Sequence, residues 1–331
     1  MLMAVKDSFD WRPTASFTNL SYRAQLFAKI REFFAERQVL EVDTPLLAHT
    51  AALDVNIDAI AAACTRAGTS NLHTAYLQTS PEFCMKRLLA AGSGPIYQLG
   101  KAFRNEEQGR YHNPEFTLLE WYRPGFDHYT LMNEMDEFLQ TVILTEKSTR
   151  VTYRNLFLEY LQLDPFTATL AELKHCAEQH AVHVFAAVES LHHDDWLDIL
   201  LSHTIQPKLG LHNPVFVYDY PSSQAALAKV VQKDEIAIAE RFEVYFKGVE
   251  LANGYHELTD ASEQLRRFQN EVKLREKLGK PHLSIDERLL SAITFGLPEC
   301  AGVAVGVDRL LMLKLNAASI KEVLSFTFEN A

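Results

Sequence analysis

Apolar positions along the chain alternate between helical and strand periods. From Arg23 to Gln38, Leu26, Ile30, Phe33 and Phe34 recur at the spacing of one helical face. Ser21 or Asn19 is placed to cap that helix. Val39–Val42 reads as a short strand ending at Thr44-Pro45, and Ala75–Thr79 as another. Ser80-Pro81-Glu82 then offers an N-cap serine and a proline at the first helical position. The helix they open should run to about Ala91 and stop at Gly92. Pro95–Arg104 and Glu115–Tyr122 flank a charged loop, which predicts an antiparallel pair with a long tip.

Tyr129–Thr145 has a helical pattern, and residues 152–211 are mainly helical. The stretch over about residues 150–212 reads as an insertion on a sheet domain, with His192 and His193 facing solvent. Val215–Tyr220 is a strand, and Phe242–Glu250 alternates around a Lys247-Gly248 turn. Asp260 opens a charged helix to about Leu278, and the Gly-rich strand Cys300–Val307 feeds a helix over Arg309–Leu315. Strands joined by local hairpins and flanked by helices predict an α+β fold with a mixed, mostly antiparallel sheet.

Composition narrows the function classes. With 331 residues, 47% of them hydrophobic, the chain can build one large or two medium domains. No apolar run reaches membrane-spanning length, and Met1–Asn19 lacks a signal-peptide core. Cys64, Cys84, Cys176 and Cys300 are scattered, without a metal-ligand spacing, which fits a reduced, cytoplasmic setting and no structural zinc. The net charge of -11 disfavours long-range attraction of nucleic acid, although a local basic patch can still bind RNA.

Two arginines stand out. Arg104 opens the polar loop Arg104-Asn105-Glu106-Glu107, and Arg309 follows the Gly-rich strand ending Gly306-Val307-Asp308. Arginine grips phosphate oxygens in a planar fork, so two on separate elements suit a polyphosphate substrate. Glu243 and Glu250 form a second pair. If Lys247-Gly248 is a two-residue turn, Tyr245 faces Glu250 and Glu243 lies diagonally on the same face. That spacing fits a solvated strand face slightly better than a metal site.

Arg104-Asn105-Glu106 with His112-Asn113-Pro114-Glu115-Phe116 resembles motif 2 of the class II aminoacyl-tRNA synthetases, and Gly306-Val307-Asp308-Arg309 resembles motif 3. Asn253-Gly254-Tyr255-His256-Glu257-Leu258 is similar to lysyl-tRNA synthetases, and closer still to the truncated paralogues that ligate (R)-β-lysine to elongation factor P. The resemblance spans about residue 20 to the C-terminus. It implies one catalytic domain over 1–331, with residues 1–20 as a tail. An anticodon-binding domain is not expected, because the room before Arg23 is too short.

The resemblance also implies roles. ATP and Mg²⁺ are the expected cofactors, with Arg104 on the α-phosphate, Arg309 on the γ-phosphate, and Glu243 and Glu250 on Mg²⁺. Asn105, Glu106, Asn113, Leu251 and Gly306 should complete the nucleotide site. Ser80, Pro81, Glu82, Glu120, Tyr122, Asn253 and Glu257 should bind (R)-β-lysine or lysine. Strict alternation would put Asn253 and Glu257 on the wrong face, so a kink is expected, at Gly254. The helix and strand over Arg23–Pro45 match motif 1 and imply a homodimer; from pattern alone they are an ordinary core helix. Three functions stay open: a ligase acting on elongation factor P, a stand-alone synthetase charging tRNA, and a non-catalytic synthetase-like subunit. The full ATP apparatus disfavours the third.

Overall fold

The computed structural model describes residues 11–331 except 66–67, 69–71 and 185–190. The first ten residues of the expected tail therefore lie outside it. Helix α1 (Phe17–Glu36) starts earlier than its apolar face suggests, because Ser16 is the cap and accepts from the Asn19 amide at 3.1 Å. Asn19 and Ser21 sit inside the helix. The first turns do not touch the core, so the cap rather than the apolar pattern marks the start. Leu26, Ile30, Phe33 and Phe34 are all buried, as the spacing predicts. Phe34 stacks on Tyr97 at 4.3 Å, and Phe33 meets Phe138 edge-on.

Strand β1 (Leu40–Glu41) leads into a small sheet of β2 (Leu47–Ala48), β3 (Ala61–Thr65) and β4 (Leu72–Leu77). The strand expected over Ala75–Thr79 thus lies a few residues earlier, leaving Gln78–Pro81 as the turn into α2 (Glu82–Ala90). Pro81 occupies the cap position, Ser80 Oγ accepts from the Glu82 amide, and Gly92 at φ +88° ends the helix. Strands β5 (Ile96–Phe103) and β6 (Glu115–Pro124) form the expected antiparallel pair, followed by α3 (His128–Val142).

The stretch over about residues 150–212 holds β7 (Thr149–Thr152), α4 (Tyr153–Leu161), α5 (Leu170–Gln179) and α6 (His193–Leu200). Its apolar cluster, including Tyr153, Phe157, Leu197 and Leu200, packs on β8 (Val215–Pro221). His192 is exposed; His193 is half-buried against the Ala168 carbonyl. Next come β9 (Val230–Lys233), β10 (Ile236–Phe246), β11 (Val249–His256), α7 (Ala261–Lys277), α8 (Glu287–Gly296), β12 (Cys300–Gly306) and α9 (Val307–Leu315). The main sheet runs β1-β5-β6-β12-β11-β10-β8-β7, with β9 on β10. Among the described residues only β1/β5 and β7/β8 pair in parallel within it, so the sheet is mixed and mostly antiparallel.

The β10–β11 hairpin fixes the site. Lys247 and Gly248 both take positive φ, the signature of a tight two-residue turn, and Tyr245 faces Glu250. The next pair is Val244 with Ala252, so Leu251 is an extra residue, a β-bulge. The expected kink at Gly254 is therefore corrected to Leu251. Gly254 instead makes room for the Phe242 ring, since a Cβ there would lie 2.4 Å from Phe242 Cζ. The bulge flips the parity downstream and sets Asn253 directly opposite Glu243.

One buried network joins three elements. Arg23 on α1 donates to Asp308 Oδ1 on α9 and to Thr117 Oγ1 on β6, each at 2.6 Å. The Thr117 amide donates to Asp308 Oδ2 at 2.7 Å. Asp308→Ala takes the counter-charge from Arg23 and the acceptor from the Thr117 amide, and removing one partner of a buried ion pair costs about 3–5 kcal/mol. Urea unfolding should show a loss of that order; a loss below about 1 kcal/mol would mean that the network is not a structural joint.

Candidate active site

Two cavities open on the face of the sheet. One, of about 290 Å³, is lined by Arg104, Asn113, Glu250, Leu251, Gly306 and Arg309 among others. The other, of about 710 Å³, is lined by Ser80, Glu82, Glu120, Tyr122, Asn253 and Glu257 among others. Ile57, Arg104, Leu118, Asn253 and Ala304 line both, so they are two arms of one cleft meeting at Arg104 and Asn253. Four expected residues line neither arm: Pro81, Asn105, Glu106 and Glu243. Pro81 is buried in the turn that aims Ser80 and Glu82. Asn105 and Glu106 are exposed at the loop tip; Glu106 takes φ +63°, and it is Glu107 that returns to the cleft, 3.5 Å from Arg104.

The smaller arm is cationic at both ends. The Arg104 guanidinium sits over the Phe116 ring at 5.1 Å, and its buried Nε has no hydrogen-bond partner. Gly306 ends β12 and caps α9, which projects Arg309 across the cavity mouth. Arg309 Nη1 donates to the Glu250 carbonyl at 3.0 Å, and Nη2 lies 2.6 Å from His112 Nε2. Burial, with Arg309 beside it, pushes the His112 pKa down, so the ring is a neutral acceptor. Asn113 is tied into the loop by the Glu115 carbonyl and the Phe328 amide.

Behind this arm, Glu243 is a buried hub. Its carboxylate accepts from Arg241, from Tyr245 and, at 2.7 Å, from Tyr220. Glu250 is more open, and its pKa is raised by burial and by the Glu243 charge. The two expected carboxylates are thus neighbours, but only Glu250 lines the cavity.

The larger arm concentrates acid. Glu120 accepts from Tyr122 Oη at 2.6 Å and from Ser80 Oγ at 2.7 Å. Burial and the Glu82 charge push its pKa up to about 7. Lys86, on α2, is fully buried, with Nζ 2.6 Å from both Glu82 Oε1 and Glu257 Oε2. Burial pushes the Glu257 carboxyl up to about 8, an effect Lys86 opposes while Glu82 and Glu120 add to it. Burial also pulls on Lys86, but Glu257 and Glu82 outweigh it and raise its pKa. With three carboxyls around one ammonium, the ammonium keeps its proton, and the surplus acids are the groups that take one up.

Lys86, Arg241, His112 and Glu107 were not expected from the sequence. Lys86 had one signal, its place four residues after Glu82, which puts both on one helical face. Arg241 had the parity of β10, two residues before Glu243.

A cleft that joins an arginine-flanked arm to a carboxylate-rich arm on an antiparallel sheet defines a nucleotide-dependent amino-acid activating domain. A family profile described as tRNA synthetases class II (D, K and N) matches residues 4–330. The chain belongs to that family. Among curated relatives, it is similar to an elongation factor P--(R)-beta-lysine ligase of Vibrio cholerae, at 51% identity over 322 residues, covering 97% of this chain and 99% of the relative. Enzymes of the same name from Proteus mirabilis (50%, covering 96% and 97%) and Photorhabdus laumondii (47%, covering 99% and 100%) match equally broadly.

Gly302 tests the geometry of the larger arm. A Cβ there would lie 2.2 Å from Tyr122 Cε1 and 2.7 Å from Glu257 Oε1. Gly302→Ala should therefore weaken amino-acid binding at least tenfold while ATP binding stays within about twofold, as calorimetry would read. Equal losses for both ligands would detach Gly302 from the amino-acid arm.

Proposed function

We propose that this protein activates (R)-β-lysine, or lysine, with ATP and transfers the aminoacyl group to a lysine side chain of elongation factor P. The observation that carries this reading is the shared wall of the two arms, where Arg104 and Asn253 stand between the nucleotide arm and the carboxylate-rich arm. A carboxylate oxygen of the amino acid attacks the α-phosphorus of ATP. The bond to the bridging oxygen breaks, and pyrophosphate leaves. The amine of the acceptor lysine then attacks the acyl carbon, loses a proton, and AMP departs.

The first step is carried by positioning and charge neutralisation. Arg104 holds the α-phosphate, with its unpartnered Nε as a donor available to it. Arg309 holds the terminal phosphate, steadied by neutral His112. Asn113, Leu251 and Gly306 line the nucleotide arm. Asn253, opposite Glu243, orients the reacting carboxylate. Glu82, Glu120 and Glu257 receive the amines, with Tyr122 as an aromatic wall.

The donors suit Mg²⁺, which takes one or two carboxylates plus phosphate oxygens. Glu250 offers an open carboxylate whose charge no cation fully offsets. Glu243 has three donors on a carboxylate with about four acceptor sites, which leaves one. Glu250 would hold the ion with support from Glu243, and the ion would neutralise phosphate charge. Among the described residues no helix is long and apolar enough to cross a membrane, and we place the protein in the cytoplasm with its translation-factor substrate.

Intact-mass spectrometry of elongation factor P after incubation with ATP and (R)-β-lysine should show the gain of one lysine isomer, lost when the acceptor lysine is replaced. Arg104→Ala should slow ATP–pyrophosphate exchange roughly 10²–10³-fold. Efficient charging of tRNA with unmodified elongation factor P would overturn the acceptor assignment.

We also propose a homodimer through α1 and the segment that follows it. Phe17, Tyr22, Leu40, Leu46 and Leu47 expose apolar side chains there, and β1 is an edge strand with one neighbour. Sedimentation at micromolar concentration should give twice the chain mass of 37.6 kDa, and Leu40→Glu should shift it toward the monomer. A wild-type monomer would end the proposal.

A further inference from the structure

Lys86 is an expensive residue in its place. Taking an ammonium out of water is costly, and replacing a buried ion cluster as a whole by apolar side chains of similar volume often does as well or better for stability. Stability therefore does not account for a lysine here, and its neighbours suggest what does. Lys86 lines neither arm of the cleft, whereas Glu82 and Glu257 both line the larger one. The ammonium lies behind the wall and takes one oxygen from each, Glu82 Oε1 and Glu257 Oε2, at 2.6 Å. The remaining oxygens are free for the cavity. Glu257 Oε1 faces Gly302, a cavity-lining position, and Glu82 Oε2 has no hydrogen-bond partner among the described residues.

We propose that Lys86 is a positioning residue of the amino-acid arm: its buried ammonium clamps Glu82 and Glu257 from behind and sets the arm's charge to the value that a diammonium ligand neutralises. This rests on the amino-acid reading of that arm. The charge count is direct. Among the four groups at the clamp, Glu82, Glu120 and Glu257 supply three negative charges and Lys86 one positive charge, which leaves two negative charges there when all are ionised. A ligand with two ammonium groups closes that balance. A monoamino acid leaves one buried carboxylate without a counter-charge, a state that burial penalises.

The geometry also explains why one lysine serves two roles. Glu82 sits on α2 and Glu257 just beyond β11, elements far apart in the sequence. A single ammonium between them fixes the spacing of their free oxygens, and so the distance between the two sites that receive amines. Without it the carboxylates repel, or one takes up a proton that a cationic ligand must then displace. The arm already sits near that condition, with Glu120 and Glu257 raised toward neutrality.

The test is the pH dependence of amino-acid binding in wild type and Lys86→Met, with (R)-β-lysine and lysine as probes and ATP affinity as the reference. Wild-type affinity should rise as pH climbs from 6 to about 8, because Glu120 and Glu257 must lose protons to accept ammonium groups. Loss of Lys86 removes a charge that favours ionised Glu257, so the curve should shift to higher pH by at least about one unit, equivalent to about a tenfold weaker affinity at pH 7. The deficit should shrink toward pH 9, with ATP affinity unchanged. A deficit equal at every pH, or a matching loss of ATP binding, would reduce Lys86 to scaffold. If Lys86→Met does not fold, Lys86→Gln, which keeps a hydrogen-bond donor without the charge, is measured instead. That variant should bind ATP normally and show the same shift of the amino-acid binding curve to higher pH; a wild-type pH dependence would overturn the proposal. Wild-type protein that binds ATP but no diamino acid would instead overturn the function itself.

Discussion

Everything in the cleft is referenced to the contact between Arg23 and Asp308. The carboxylate of Asp308 takes the α1 guanidinium on one oxygen and the Thr117 amide of β6 on the other. The residue after Asp308 is Arg309, which reaches the Glu250 carbonyl and His112. Three segments distant in sequence are thus held to one carboxylate, and the nucleotide arm takes its shape from them. Chain entropy makes such a meeting costly, so the segments need a directional joint as well as apolar packing. The aromatic cluster of Phe33, Phe34, Tyr97, Trp121 and Phe138 supplies the packing beneath it.

The two arms use charge in opposite ways. In the proposed nucleotide arm, Arg104 and Arg309 face the cavity, each beside one carboxylate, Glu107 at 3.5 Å and Glu250 at 3.9 Å. In the amino-acid arm, carboxyls outnumber the one ammonium, and that ammonium is kept behind the wall. A low-polarity surround strengthens both fields, because little water screens them. Arg241, which lines the larger arm, and the tyrosines around Glu243 hold that carboxylate beside Asn253 on the shared wall.

Much of this was legible in the sequence, for local reasons. Lys247-Gly248 demands a tight turn, so the pairing of Tyr245 with Glu250 could be read from the residues between them. The two arginines stood out because each opens or closes a recognisable strand boundary. What the sequence hid depends on neighbours distant along the chain. The extra residue at Leu251 is set where β11 must pair with β10 and β12 together, and nothing in Glu250-Leu251-Ala252 announces it. Lys86 looked like one more charge in an amphipathic helix, because Glu257, which buries it, lies far downstream. Asn105 and Glu106 stand exposed at the loop tip for a similar reason: the backbone turn at Glu106 decides which side chain returns to the cleft.

The bulge at Leu251 makes the hairpin behave like a reading frame. Substitutions along β11 change what a position offers, but the count of residues between the Lys247-Gly248 turn and Glu257 decides which side of the sheet each one occupies. Removing a single residue between the turn and Asn253 would turn Asn253, Tyr255 and Glu257 away from the cleft and bring Gly254 and His256 round to it, a loss that no change of side chain could repair. The chemistry of the amino-acid arm is therefore encoded as much in a length as in an alphabet. For this family, tolerance of indels between the turn and Glu257 should be near zero even where point substitutions are mild.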